Sequence, residues 1–347
     1  MHEADCQNIL YIYANTNLHN ETIRCMYKIA RYNSSHYAEW NAFIENSKNG
    51  TFLFHRDFME YHSDRFEDFS LMIFNDEKLV AVFPAHKEEA IVSSHKGLTY
   101  GGLVYGSKMK LTGVIAIYHA LLEYSFNEGI EKLIIKPVPA IYHKYPAQEQ
   151  EYILFLLNAK LLRRDGLSVI DNGNRIAIPK SRREAIKRGY THNLKIVEEP
   201  DFELFWNEIL IPNLKKKHSV KPVHTIEEIM GLHKKFPEKI RHFNVYYKNK
   251  IVAGTTMFLT NNVAHPQYIS GQKDKNTLGS LDYLYDFLIR TFSDKKYFDF
   301  GPSTEMEGKK LNEGLTFWKE SFGARIIIQD FYEVETANYQ VLSDVLI

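Results

Sequence analysis

Asp299 stands between Phe298 and Phe300 and is followed at once by Gly301. Strand alternation puts such an acid opposite its two apolar neighbours, and a carboxylate there needs a partner or a task. It can orient an amine or take its proton through water, or it can satisfy the amides of the loop after Gly301. Gly301 lets backbone approach closely. Ser303, Glu305 and Lys309 line that loop, GPSTEMEGKK, which reads equally as polar surface. His265, Tyr268 and Ser270 lie on an earlier strand and its exit. A neutral His265 can act as a base and Tyr268 can donate to a carbonyl or tetrahedral intermediate, though such a histidine is more often structural. Lys319 sits among Phe317, Trp318 and Phe322; in a cleft it brings positive charge to a developing oxyanion, and otherwise it is a solvated helix lysine. Lys180, Arg182, Arg183, Lys187, Arg188 and Lys195 face a single acid, Glu184. Arginine forks match phosphate oxygens, and a solvated basic helix face explains the same run equally well.

Other chemistries find little support. His55, His62 and His86 lack a ligand spacing, and no His-Glu-x-x-His, paired-cysteine or calcium-loop pattern occurs, so no metal is expected. Lys plus Arg and Asp plus Glu number 43 each, which leaves no overall field to recruit nucleic acid or an anionic membrane. Cys6 and Cys25 give no disulfide scaffold. The polar opening MHEADCQN is not a signal peptide, and no run of about 18 apolar residues suggests a spanning helix. A reducing cytoplasm is the expected location.

The elements that must position these groups repeat. Ser70–Ala85 and Arg241–Phe258 each read as two β-prone runs around a polar turn, and Lys78–Leu79–Val80–Ala81 matches Lys250–Ile251–Val252–Ala253. Tyr118–Pro137 and Tyr283–Pro302 align without a gap as an amphipathic helix followed by a strand ending in proline. Tyr100, before Gly101–Gly102, takes in the first half the place of Tyr268 in the second, either facing a cleft or packing beside a tight turn. Residues 1–25 give a weak strand, Gln150–Leu162 a helix closed by a turn at Arg163–Gly166, and Arg175–Ile178 a short strand. The division is expected at residues 1–163 and 164–347. Adjacent hairpins with helices between later strands favour α/β architecture with mixed sheets and flanking helices.

The stretches Pro179–Gly189 (PKSRREAIKRG), Asn249–Gly254 (NKIVAG), Tyr297–Gly301 (YFDFG) and Leu315–Gly323 (LTFWKESFG) together resemble the acyl-CoA N-acyltransferase (Gcn5-related) superfamily. They look most like its duplicated branch, which includes the Fem aminoacyltransferases of peptidoglycan bridges. The resemblance implies two tandem acyltransferase-like domains. It also implies Lys319 near the acyl donor or a substrate phosphate, and Arg182 or Arg183 on an acceptor diphosphate. The loop that holds coenzyme A in simpler members corresponds to Gly271–Ser280, with Ser270, Gly271, Lys273, Gly279 and Ser280 as candidate contacts, although its two glycines are wider apart than in that loop. The expected activity is transfer of an acyl group from acyl-CoA or acetyl-CoA to an amine on a sugar-, lipid- or peptide-linked acceptor. The alternatives are a Fem-like aminoacyltransferase taking aminoacyl-tRNA to a peptidoglycan precursor, which the lack of a long helical arm disfavours, and a non-enzymatic binding module.

Overall fold

The computed structural model describes residues 27–218 and 220–345. Cys6, Cys25 and the strand expected within residues 1–25 lie outside the described residues. The chain divides into two compact units, one of Met1–Arg163 with Asp330–Ile347 and one of Arg164–Gln329.

In the first unit, Tyr27–Arg31, Leu71–Asn75, Lys78–Phe83 and Val104–Tyr105 form a four-stranded sheet in that order. Ile91–Ser93 runs parallel to Lys132–Ile135, which pairs on its other side with Tyr332–Glu335. That last pairing explains why the C-terminal segment groups with the first unit rather than with the second half of the sequence. Val334 and Leu342 are buried in the same core as Leu71, Ala81 and Leu133. The Leu111–Asn127 helix closes this core with Val114, Ile117, Tyr118, Leu121 and Leu122.

A histidine cluster lies under the loops of this unit. His62 and His95 stack at 4.8 Å between ring centroids, and His86 lies 5.3 Å from His95. Burial pushes His95 down to about 2 and His62 to about 4, and it lowers His86 despite the Glu88 carboxylate beside it. These folded-state values lie below the free-histidine value, so an unfolded chain takes up protons that the folded chain refuses. The associated stability is complete above about pH 6.5 and is lost as pH falls toward the folded values. The urea midpoint of the first unit is therefore expected to drop between pH 7 and pH 5, and His95→Phe should flatten that drop. An acid limb of equal steepness in the variant would contradict this reading.

In the second unit the strand order is Lys195–Glu198, Ile240–Tyr247, Lys250–Leu259, Val263–Gly271, Tyr297–Pro302, then residues 167–171 of the strand Lys160–Asp171. Ala253 packs into the core beneath the Ser280–Thr291 helix. Its neighbour Gly254 points the other way, where an added Cβ would lie 2.5 Å from Phe205. Helices thus cover both faces. The Lys180–Thr191 and Ser280–Thr291 helices touch closely, because a Cβ on Gly189 would sit 2.4 Å from Tyr283 Cβ. The helix expected over 202–216 contains a π turn at Trp206–Leu210 between Phe202–Phe205 and Ile211–His218.

The two hairpins agree in detail. Asn75 pairs with Lys78 and Tyr247 with Lys250, and each ladder carries a bulge at the same place, between Ile73 and Phe74 and between Val245 and Tyr246. Other expectations need correction. The predicted helix over 150–162 ends at Leu156, and Lys160–Asp171 is one strand running straight through the Arg163–Gly166 segment. No strand forms over 175–178.

Candidate active site

The strand Val263–Gly271 runs parallel to Tyr297–Pro302 only at Val263↔Tyr297 and Ala264↔Phe298. Beyond that point each strand keeps a different partner. The first follows Lys250–Leu259, with an irregularity opposite Thr256–Met257 that sets Gln267 off the ladder. The second follows Lys160–Asp171 and is irregular between Asp299 and Pro302. The strands therefore part after Ala264. Gln272 N–H donates to Val252 O at 2.8 Å, which fixes the alternation of the antiparallel ladder. By that alternation the backbone groups of Ile269 and Gly271 face the opening, where Gly271 O already accepts from Asn213 Nδ2 at 3.0 Å.

Four of the residues singled out in the sequence meet at its head. His265 Nδ1 lies 2.8 Å from the Asp299 backbone oxygen and 3.5 Å from Asp299 Oδ2. An Nδ1–H donating to that oxygen leaves Nε2 with the lone pair. Asp299 Oδ1 accepts the Gly301 N–H at 2.7 Å, so the carboxylate does satisfy the loop amide while it faces the histidine. Gly301 has φ +72°, a conformation that side chains rarely adopt, and a Cβ there would come within 3.2 Å of His265 Cε1. Lys319, 2% exposed, donates from Nζ to Gly301 O at 2.9 Å and to Pro302 O at 2.7 Å. Burial lowers its pKa to about 8 against the pull of Asp299. Phe300 fixes this corner by packing on Tyr285, Trp318 and Phe322, with centroids 5.4, 5.7 and 5.8 Å away.

The loop after the strand contributes unevenly. Ser303 is buried, and its Oγ has no hydrogen-bond partner among the described residues. Glu305 and Lys309 are exposed, with Glu305 Oε1 accepting from Asn312 Nδ2 at 3.0 Å.

The remaining candidates fall elsewhere. Tyr268 is buried against Trp206, and its hydroxyl lies 2.5 Å from His224 Nδ1 while accepting the His224 N–H at 3.1 Å. Asn213 Nδ2 donates to Ser270 Oγ at 2.8 Å and to Gly271 O at 3.0 Å. Lys273 is exposed. Gly279, with φ +67°, precedes the Ser280–Thr291 helix, and Ser280 Oγ, buried at its first turn, has no hydrogen-bond partner among the described residues. Arg182 is not free at the surface. Its guanidinium pairs with Asp282, its Nε donates to Ser321 Oγ at 2.8 Å, and Trp318 Nε1 also reaches Asp282 at 2.8 Å. Arg183 is exposed and donates to Ile178 O at 2.7 Å. Tyr100 belongs to the first unit, buried between Phe54 and Tyr142 with its hydroxyl 3.1 Å from Thr51 Oγ1. His224, Asp282 and Asn213 were not singled out in the sequence. His224 falls in a proline-containing loop and Asp282 and Asn213 fall on helices, so no local pattern marks them. Among the described residues, no group of three or more His, Cys, Asp or Glu is placed to hold a metal ion.

The fold is shared with solved structures at low sequence identity. The solved structure of FemX superposes with a TM-score of 0.63 at 10% identity, covering 91% of this chain and 100% of that one. L-PGS from Bacillus licheniformis gives 0.55 at 11% identity, covering 90% and 95%. A conserved protein of unknown function from Bacteroides thetaiotaomicron gives 0.58 at 12% identity, covering 89% and 100%. No sequence-family model and no curated protein sequence matches the chain.

Proposed function

We propose that the chain is an N-acyltransferase built from two tandem acyltransferase-like units, and that the second unit transfers an acyl group to an amine. The observation that carries this reading is the parting of two parallel strands after Ala264, with His265, Asp299, Gly301 and Lys319 around the opening. A gap in a sheet exposes backbone donors and acceptors that an extended, amide-bearing donor arm can pair with. Acyl-CoA is such a donor. Its phosphates suit the helix start at Gly279–Ser280, where Ser280 Oγ is an unused hydroxyl and Lys273 an exposed cation.

In the reaction the amine attacks the thioester carbonyl carbon, the carbon–sulfur bond breaks, and the thiolate leaves with a proton. His265, held at Nδ1 by Asp299, receives the amine proton at Nε2. Lys319, anchored on the Gly301 and Pro302 carbonyls, places positive charge at the strand end where the oxyanion develops. Transfer is direct, and the location is the cytoplasm. Tyr268 positions the opposite wall through His224. Arg183, with Ser303, Glu305 and Lys309, belongs to the acceptor side, and Arg182 holds the helix that presents Arg183.

Free thiol released from acetyl-CoA in the presence of a panel of amines, read with a chromogenic disulfide, tests the activity. Amine-dependent release supports it. Acylation of an acceptor only when charged tRNA is supplied would establish the Fem-like alternative instead.

Lys319 carries its charge below about pH 8 and loses it above, so a reaction needing the ammonium slows as pH rises through 8. Lys319→Arg keeps its charge over that range and should lack the falling limb. Identical profiles would remove the charge requirement. Arg183→Ala should weaken binding of a phosphate-bearing acceptor by about 1.5–3 kcal/mol, the range for a charge-assisted contact, and calorimetry showing unchanged affinity would reject that contact.

A further inference from the structure

The strand of the first unit that corresponds to Val263–Gly271 is Val104–Tyr105. Each pairs antiparallel with the second strand of its hairpin and precedes the long helix. Gly106 N–H donates to Val80 O at 3.1 Å, so Val104 and Gly106 face the hairpin while Leu103 and Tyr105 present their backbone groups to the other edge. All four of those groups are bonded, and none to a strand. Asn49 Nδ2 donates to Leu103 O at 2.9 Å, and Asn49 Oδ1 accepts from Tyr105 N at 3.2 Å. A single side-chain amide thereby reproduces the N–H and C=O bonds that one residue of a neighbouring strand would make to this edge. Gln150 Oε1 accepts from Leu103 N at 2.8 Å, and Lys48 N donates to Tyr105 O at 2.9 Å.

The plug is itself built in. Asn49 and Gln150 are each 3% exposed. Gln150 Oε1 also takes the Tyr118 hydroxyl. Gly102 leaves room for it, since a Cβ there would lie 2.5 Å from that oxygen. Lys48 is tied to Glu149, which in turn accepts the Tyr105 hydroxyl at 2.8 Å.

We infer that the first unit carries a donor edge of the same kind as the second, permanently occupied by the carboxamides of Asn49 and Gln150. The unit is closed to an extended amide-bearing ligand, and the chain has one donor site, in the second unit. That last clause rests on the acyltransferase reading, whereas the plug does not.

Hydrogen–deuterium exchange resolved to single amides tests both parts. In the parent protein the amides of Leu103 and Tyr105 should be protected, and saturating acetyl-CoA should change exchange at Ile269–Gly271 while leaving Leu103 and Tyr105 unmoved. In Asn49→Ala with Gln150→Ala, those two amides should exchange at least tenfold faster while the strands around them stay protected. Gln150→Asn, one methylene shorter, should free Leu103 alone and serves if the double variant does not fold. Added protection of Leu103 or Tyr105 by acetyl-CoA in the parent, or unchanged exchange in the folded variants, would overturn the plug. No acetyl-CoA effect anywhere, with faster exchange in the variants, would remove the donor assignment and leave the plug standing.

Discussion

Lys319→Met is expected to slow single-turnover transfer about a hundredfold at saturating donor and acceptor, with donor affinity changed far less. Removing one stabiliser of a developing oxyanion costs about 3 kcal/mol, which is roughly two factors of ten in rate. Lys319 is buried and bonded to the Gly301 and Pro302 carbonyls, so it holds the strand end as well as any charge on it. A purely structural role predicts lost stability with normal turnover in the folded fraction. A transition-state role predicts that kcat falls with little change in KM, because uniform binding does not accelerate chemistry. A folded Lys319→Met variant transferring at the parent rate would leave the lysine as a clamp.

Arg182→Met should destabilise the second unit by about 3–5 kcal/mol in urea at pH 7, the cost of stranding a buried charge. Asp282 would lose its cation while still accepting Trp318 Nε1, and Ser321 would lose its donor. Replacing both members, Arg182→Met with Asp282→Leu, should recover much of the loss. A single-variant effect below about 1 kcal/mol would mean that the pair is solvated and weak.

The parts legible in the sequence were those whose signals are local. The hairpins were visible because alternation and turn chemistry act over a few residues, and the matched bulges at Phe74 and Tyr246 follow from the same local pattern. The Asp299–Gly301 corner was visible because an acid between two phenylalanines has few places to go. Of the strand Lys160–Asp171, only Ser168–Ile170 was legible. Its first half is charged, and its ladder to Tyr297–Pro302 joins residues far apart in the chain. The Arg182–Asp282 pair spans a hundred positions, so a basic helix read as a phosphate site proved partly internal. The return of the C-terminal segment to Lys132–Ile135 is likewise a long-range pairing that no local composition announces. His265 next to Asp299 was legible as two candidates but not as a pair.

The central claim is that the opening between Val263–Gly271 and Tyr297–Pro302 takes an acyl donor. Native mass spectrometry of the intact chain with a panel of acyl-CoAs and charged tRNAs tests it most directly. The account predicts one acyl-CoA per chain, with binding lost in Gly271→Trp, whose Cβ would meet Leu281 Cγ and Lys275 Cβ at 3.3 Å and displace the strand end that borders the opening. Binding of charged tRNA with no acyl-CoA retained, or acyl-CoA binding untouched by that substitution, would contradict it.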